Sequence, residues 1–92
     1  MATLYKANGD IIEVSPENGE RFTLVELYDM LSCSLVERLI LPRNEVMIVD
    51  EEGKLFGKDI NAKATRIYHS AERMNIWDWI AGDALVCNSD EF

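Results

Sequence analysis

The side chains in this sequence whose types and spacing could do chemistry gather in its second half. Lys63, Arg66 and Arg73 fall within one helical stripe, with Lys58 just ahead of them, in a chain whose formal net charge is −8. Guanidinium and ammonium groups so placed could hold a small nucleotide-like anion, with Tyr68, Trp77 or Trp79 supplying a ring to stack on a base. The plainer reading, and the favoured one, is a solvated helix face whose cations pair with nearby carboxylates. Trp77 and Trp79 flank Asp78 at i, i+2, so they share a face if extended and point roughly opposite ways if helical. At least one is expected in the core. An exposed second tryptophan would imply a protein interface or a ligand platform, since large aromatics are concentrated at binding hot spots.

Catalytic groupings are not legible. The single histidine, His69, stands beside Tyr68 and off the apolar seam of its helix, so it is expected to be a solvated helix residue. No Ser-His-Asp or Cys-His arrangement accompanies it. Asp50, Glu51 and Glu52 are consecutive and lack the spaced oxygen ligands and central glycine of a calcium loop, so Asp50 to Gly53 reads as a solvated β-turn. The five glycines stand singly and form no phosphate cradle. Cys33 and Cys87 are too far apart for a CxxC motif and read as reduced core thiols. The expectation is a protein that is not an enzyme and uses neither cofactor nor metal.

The elements that position these residues follow from periodicity and turn chemistry. Ninety-two residues suffice for one hydrophobic core, so residues 1–92 are expected to form a single domain. Two β-prone runs, 3–7 and 11–15, flank Asn8-Gly9-Asp10, a hairpin signal. Thr23 and Glu26 form a capping-box pattern, followed by Leu24, Leu27, Tyr28 and Leu31 on one face of a helix. Residues 35–41 are apolar on both sides and predict a well-buried strand, which Pro42-Arg43-Asn44 separates from the β-branched run 45–50. Leu55 and Phe56 could add a brief strand. Ile60, Ala64, Ile67, Ala71 and Met74 recur at spacings of four and three, predicting a second helix capped near Asp59 or Asn61. Ala84 to Cys87 is a last strand, and the polar tail from Asn88 to Phe92 is expected to fray. The result is an α+β domain, a mainly antiparallel sheet of about five strands covered by two helices in the order ββαββαβ.

Seventeen acidic against nine basic side chains oppose attraction to phosphate backbones or anionic lipid, so neither duplex DNA nor a membrane is expected as partner. Acidity suits a basic protein partner, and it also keeps a small domain soluble. No stretch approaches the roughly 18 apolar residues of a membrane span, and the start of the chain lacks the pattern of a secretory signal, so a cytoplasmic setting is expected. A homodimer through sheet edges would be unsurprising for so small a core.

Three runs point to a family. Val49-Asp50-Glu51-Glu52-Gly53-Lys54, then Asn61-Ala62-Lys63-Ala64-Thr65 opening a helix, then Ile80-Ala81-Gly82-Asp83-Ala84-Leu85-Val86 resemble the small proteins described as domain of unknown function 3846, typically encoded by phages, plasmids and conjugative elements. The resemblance covers most of the chain in order and spacing. This chain departs from the pattern in carrying Asp50 where the acidic turn often begins with Asn, and a longer helix with two tryptophans before Gly82-Asp83. The family brings no catalytic residues. It implies a context, that of an accessory protein of a phage or mobile element acting by stoichiometric contact with a host or element-encoded protein, with interference in host defence as one form.

Overall fold

A computed structural model of the chain describes residues 2–71 and 77–92. Strands β1 (Ala2–Tyr5) and β2 (Ile11–Val14) form the opening hairpin, and Gly9, at φ 101°, takes the left-handed turn position that a side chain would strain. Helix α1 (Leu24–Leu31) begins at the expected capping box. Thr23 Oγ1 accepts the Glu26 N–H at 3.2 Å, and Glu26 Oε1 accepts the Thr23 N–H at 2.9 Å. Glu26 Oε2 also accepts the Glu17 N–H, which ties the preceding loop to the helix start. Strands β3 (Val36–Ile40) and β4 (Glu45–Asp50) make a second hairpin, with Arg43 and Asn44 both at positive φ in its turn. Helix α2 (Ala62–Ser70), strand β5 (Ala84–Asn88) and the short 3₁₀ turn 89–91 complete the chain.

The five strands form one antiparallel sheet in the order β2-β1-β5-β4-β3. The last strand is thus the central one, joining the two hairpins. Each face of the sheet carries one helix. Leu4, Val46, Ile48, Leu85 and Cys87 pack with Phe22, Leu27 and Leu31 on the α1 face. Met47, Val49 and Ala84 pack with Ala64 and Ile80, and with the half-buried Leu39, Ile67 and Tyr68, on the α2 face. Burial from both sides explains why the run 46–49 is continuously apolar rather than alternating.

Several elements differ from their sequence reading. β3 is an outer strand, and Glu37, Arg38 and Ile40 are exposed, so two-sided apolarity does not translate into burial at an edge. Leu55 and Phe56 lie in turns, 76% and 66% exposed, with no strand. α2 starts after Ile60, which is exposed and bridges to Ala81; Met74 lies outside the described residues. The tail does not fray: Glu91 is buried, its carbonyl accepts the Phe22 N–H at 2.7 Å, and Phe92 packs on the α1-face core. Among the described residues no helix is long and apolar enough to cross a membrane.

Candidate functional site

The three sequence runs singled out above meet at one end of the sheet. Asn61 caps α2, its Oδ1 accepting the Ala64 N–H, while its Nδ2 donates to the carbonyls of Tyr5 (2.8 Å) and Gly82 (3.0 Å). Its backbone N–H reaches the Ile80 carbonyl, and the Gly82 N–H reaches that of Asp59. Asp83 accepts the Ala7 N–H and pairs with Lys6. A Cβ on Gly53 would stand 2.6 Å from the Ala81 carbonyl oxygen, so the turn 50–53 can lie against the strap of residues 78–83 that precedes β5 only with glycine at position 53.

Asp50 is not the solvated turn residue its neighbours suggest. It ends β4 on the α1 face, almost fully buried, because Lys58 reaches back beneath it. Its Oδ1 accepts the Glu52 N–H, and its Oδ2 sits 2.7 Å from the Lys58 ammonium. That ammonium also donates to the carbonyls of Leu31 (3.0 Å) and Ser32 (2.8 Å) at the end of α1. One cation therefore neutralises a buried carboxylate and satisfies a helix C-terminus. These groups are spent on one another and tie the turn after β4 to the end of α1, while Gly53 against the Ala81 carbonyl sets the segments 51–54 and 78–81 side by side.

Between those segments, on the α2 face, lies a cleft of about 240 Å³. Leu39, Val49 and Ile80 form its apolar floor, Tyr68 and Trp79 its aromatic walls, and Glu37, Glu51, Lys54 and Asp78 supply its charge. The Asp50 backbone also borders it, with the carboxylate turned to Lys58. Lys54 places its ammonium 4.6 Å from the centroid of the Trp79 ring and pairs with Asp78. Lys54, and then the Trp79 N–H, hold the Asp78 carboxyl below the ordinary aspartate range. α2 anchors this wall: the Thr65 hydroxyl accepts the Ile80 N–H at 2.9 Å, and His69 Nε2 lies 3.0 Å from the Asp78 carbonyl. Three carboxylates and one ammonium thus line a single cleft with an apolar floor, an arrangement suited to holding a second cation. Among the described residues no three His, Cys, Asp or Glu side chains are grouped to hold a metal.

The residues singled out in the sequence are dispersed. Lys63 donates to the Gly9 carbonyl at 2.8 Å. Arg66 borders a shallow depression with Ile60 and His69, whereas Tyr68, two residues on, faces the acidic cleft. Arg73 lies outside the described residues. Trp77 is 81% exposed and Trp79 41%, so neither takes the core place expected of one of them; the segment is neither helix nor strand, and Ile80 fills the core instead. His69 is half-buried rather than solvated, because its ring meets Asp78. Cys87 is buried and Cys33 half-buried, both as free thiols. Glu37, Glu51 and Lys54 escaped sequence reasoning as site residues because only tertiary structure joins them. The signal that existed was Asp78 between two tryptophans.

A family model described as Domain of unknown function (DUF3846) matches residues 4–92. No curated protein and no solved structure matches the chain.

Proposed function

The chain belongs to the DUF3846 family, and from that premise we propose that it is a stoichiometric, non-enzymatic binding protein that holds a cationic side chain of a protein partner in the cleft of Glu37, Glu51, Asp78 and Trp79. The observation that carries this reading is Lys54. The protein's own ammonium already occupies a cation position on Trp79 and Asp78, and Glu37 and Glu51 line the same cleft beside it. A partner arginine suits such a place best, because its planar fork bonds carboxylates in pairs and stacks on aromatic faces. The net charge of −8 favours approach of a basic surface.

The setting belongs to the same proposal: a cytoplasmic accessory of a phage, plasmid or conjugative element, contacting a host or element-encoded component, as the family resemblance implies. The other reading, a binder of nucleotide-like anions through Lys63, Arg66 and Arg73, draws less support from the geometry. Lys63 is engaged with Gly9, and Tyr68 serves the acidic cleft rather than Arg66.

The test is a nuclear magnetic resonance titration of isotope-labelled protein with a hexa-arginine peptide, with hexaglutamate as control. Shifts of the Trp79 indole and the Glu37 and Glu51 amides, weakening as salt is added, are expected with the basic peptide alone. Silence at these residues, or an equal response to hexaglutamate, would overturn the reading.

A further inference from the structure

The cleft opens beside an outer strand whose backbone is turned outward. The Glu51 N–H donates to the Leu35 carbonyl at 3.1 Å and the Leu41 N–H to the Glu45 carbonyl at 2.9 Å, so Leu35 and Leu41 direct backbone groups toward β4. Antiparallel pairing alternates this direction residue by residue. Glu37 and Leu39 therefore also face β4, and the N–H and C=O groups of Val36, Arg38 and Ile40 point away from the sheet. The side chains of Glu37 and Leu39 line the cleft. We infer that the partner presents an extended basic segment that adds to β3 as a further antiparallel strand, laying alternate side chains over the cleft. This inference rests on the cation-binding reading of the cleft.

The register follows from the pleat. Incoming residues opposite Leu35, Glu37 and Leu39 fall on the α2 face, where Glu51, paired with Leu35, and Glu37 await cations. Incoming residues opposite Val36 and Ile40 fall on the other face and favour β-branched side chains, with a small polar residue opposite Arg38. The segment thus carries lysine or arginine at two positions two residues apart, separated by a β-branched residue. A second copy of this chain is a poor occupant. The antiparallel register that overlaps all of β3 with itself sets Arg38 against Arg38 of the other copy, and like charges directly opposite are destabilising.

The peptide acetyl-KIVTRVK-amide places its threonine opposite Arg38, its arginine opposite Glu37 and its last lysine beside Glu51. Titration with this peptide should shift the Trp79 indole and slow hydrogen exchange at the Val36, Arg38 and Ile40 amides. Methylating the peptide nitrogens of the threonine and the second valine, which face β3, should weaken binding by more than about tenfold, the equivalent of about 1.4 kcal/mol. If Trp79 responds while β3 exchange is unchanged and the methylated peptide binds equally, strand addition is overturned and the cleft reading survives. Binding of hexa-arginine without binding of this peptide would likewise overturn strand addition and leave the cleft reading standing. Failure of both peptides overturns both. Protection of β3 that appears without peptide and grows with protein concentration, alongside a dimer mass, would make a second copy the occupant and overturn the inference.

Discussion

Lys54 lies across the ring of Trp79 while bonded to Asp78, so a residue from the turn after β4 and a residue from the strap before β5 close the cleft together. The pair is exposed, and its contribution to folding is accordingly small.

That arrangement makes Lys54 a built-in competitor for any arriving cation. Lys54→Met frees Asp78 and Trp79 and should tighten hexa-arginine binding by roughly three- to tenfold, whereas Trp79→Ala should weaken it by about tenfold. Both variants should unfold within about 0.5 kcal/mol of the parent. Calorimetric titration together with urea unfolding checks both halves.

Removing the other lysine has the opposite profile. Lys58→Met leaves the Asp50 carboxylate buried without its cation and the end of α1 without its donor, at a cost of roughly 3 kcal/mol. The double variant with Asp50→Asn should recover part of that loss, since no buried charge remains. Chemical denaturation reads the difference, and the coupling between the two changes is the diagnostic quantity.

Asn61→Ala strips the α2 cap and leaves the Tyr5 and Gly82 carbonyls without their donor, for about 2–4 kcal/mol. Asn61→Asp should do no better, because a carboxylate caps the helix yet offers those two carbonyls no N–H. Equal stability of the aspartate variant and the parent would show that the cap alone matters.

The pH profile should fall at both ends. Asp78, bonded by Lys54, and Glu26, bonded by the Glu17 and Thr23 N–H groups, titrate below their ordinary values when folded. Between the folded and unfolded pKa values the unfolded chain binds more protons, so this stability is present above the ordinary carboxylate range and is lost as pH falls through the folded values. Glu26→Gln and Asp78→Asn should each flatten the acid limb of a stability curve measured below about pH 5. Burial pushes the Cys87 thiol from the ordinary 9.0 up to about 11. The unfolded chain releases that proton first, so stability declines as pH rises across this interval, and Cys87→Ala should remove the decline. Alkylation of the native protein should label Cys33 well before Cys87.

Much of the architecture was legible because local signals agreed with the final fold. Asn8-Gly9 made a hairpin, Thr23 and Glu26 capped α1, Asn61 capped α2, and the β-branched run 45–50 became a strand. What failed shares one cause, which is that sequence patterns report side-chain character and not neighbours. β3 looks buried until its place at the sheet edge is known, and Asp50 looks solvated until Lys58 arrives from eight residues away. The cleft was the least legible feature, since Glu37, Lys54, Tyr68 and Asp78 come from four segments. The tryptophans marked its neighbourhood, but the expectation of burial for one of them ignored that Ile80 could take that place.

The central position of β5 bears on how the chain acquires its structure during synthesis. The β1–β2 hairpin and the β3–β4 hairpin do not pair with each other, and each meets its partner strand only through residues 84–88, as in Thr3 with Val86 and Met47 with Val86. A nascent chain on the ribosome therefore holds two unjoined hairpins and two helices with half a core each until those residues emerge. Joining of the two halves therefore waits for residues 84–88, so loss of β5 through premature termination should yield two separate hairpins with two further open sheet edges, and a target for proteolysis rather than a smaller folded domain.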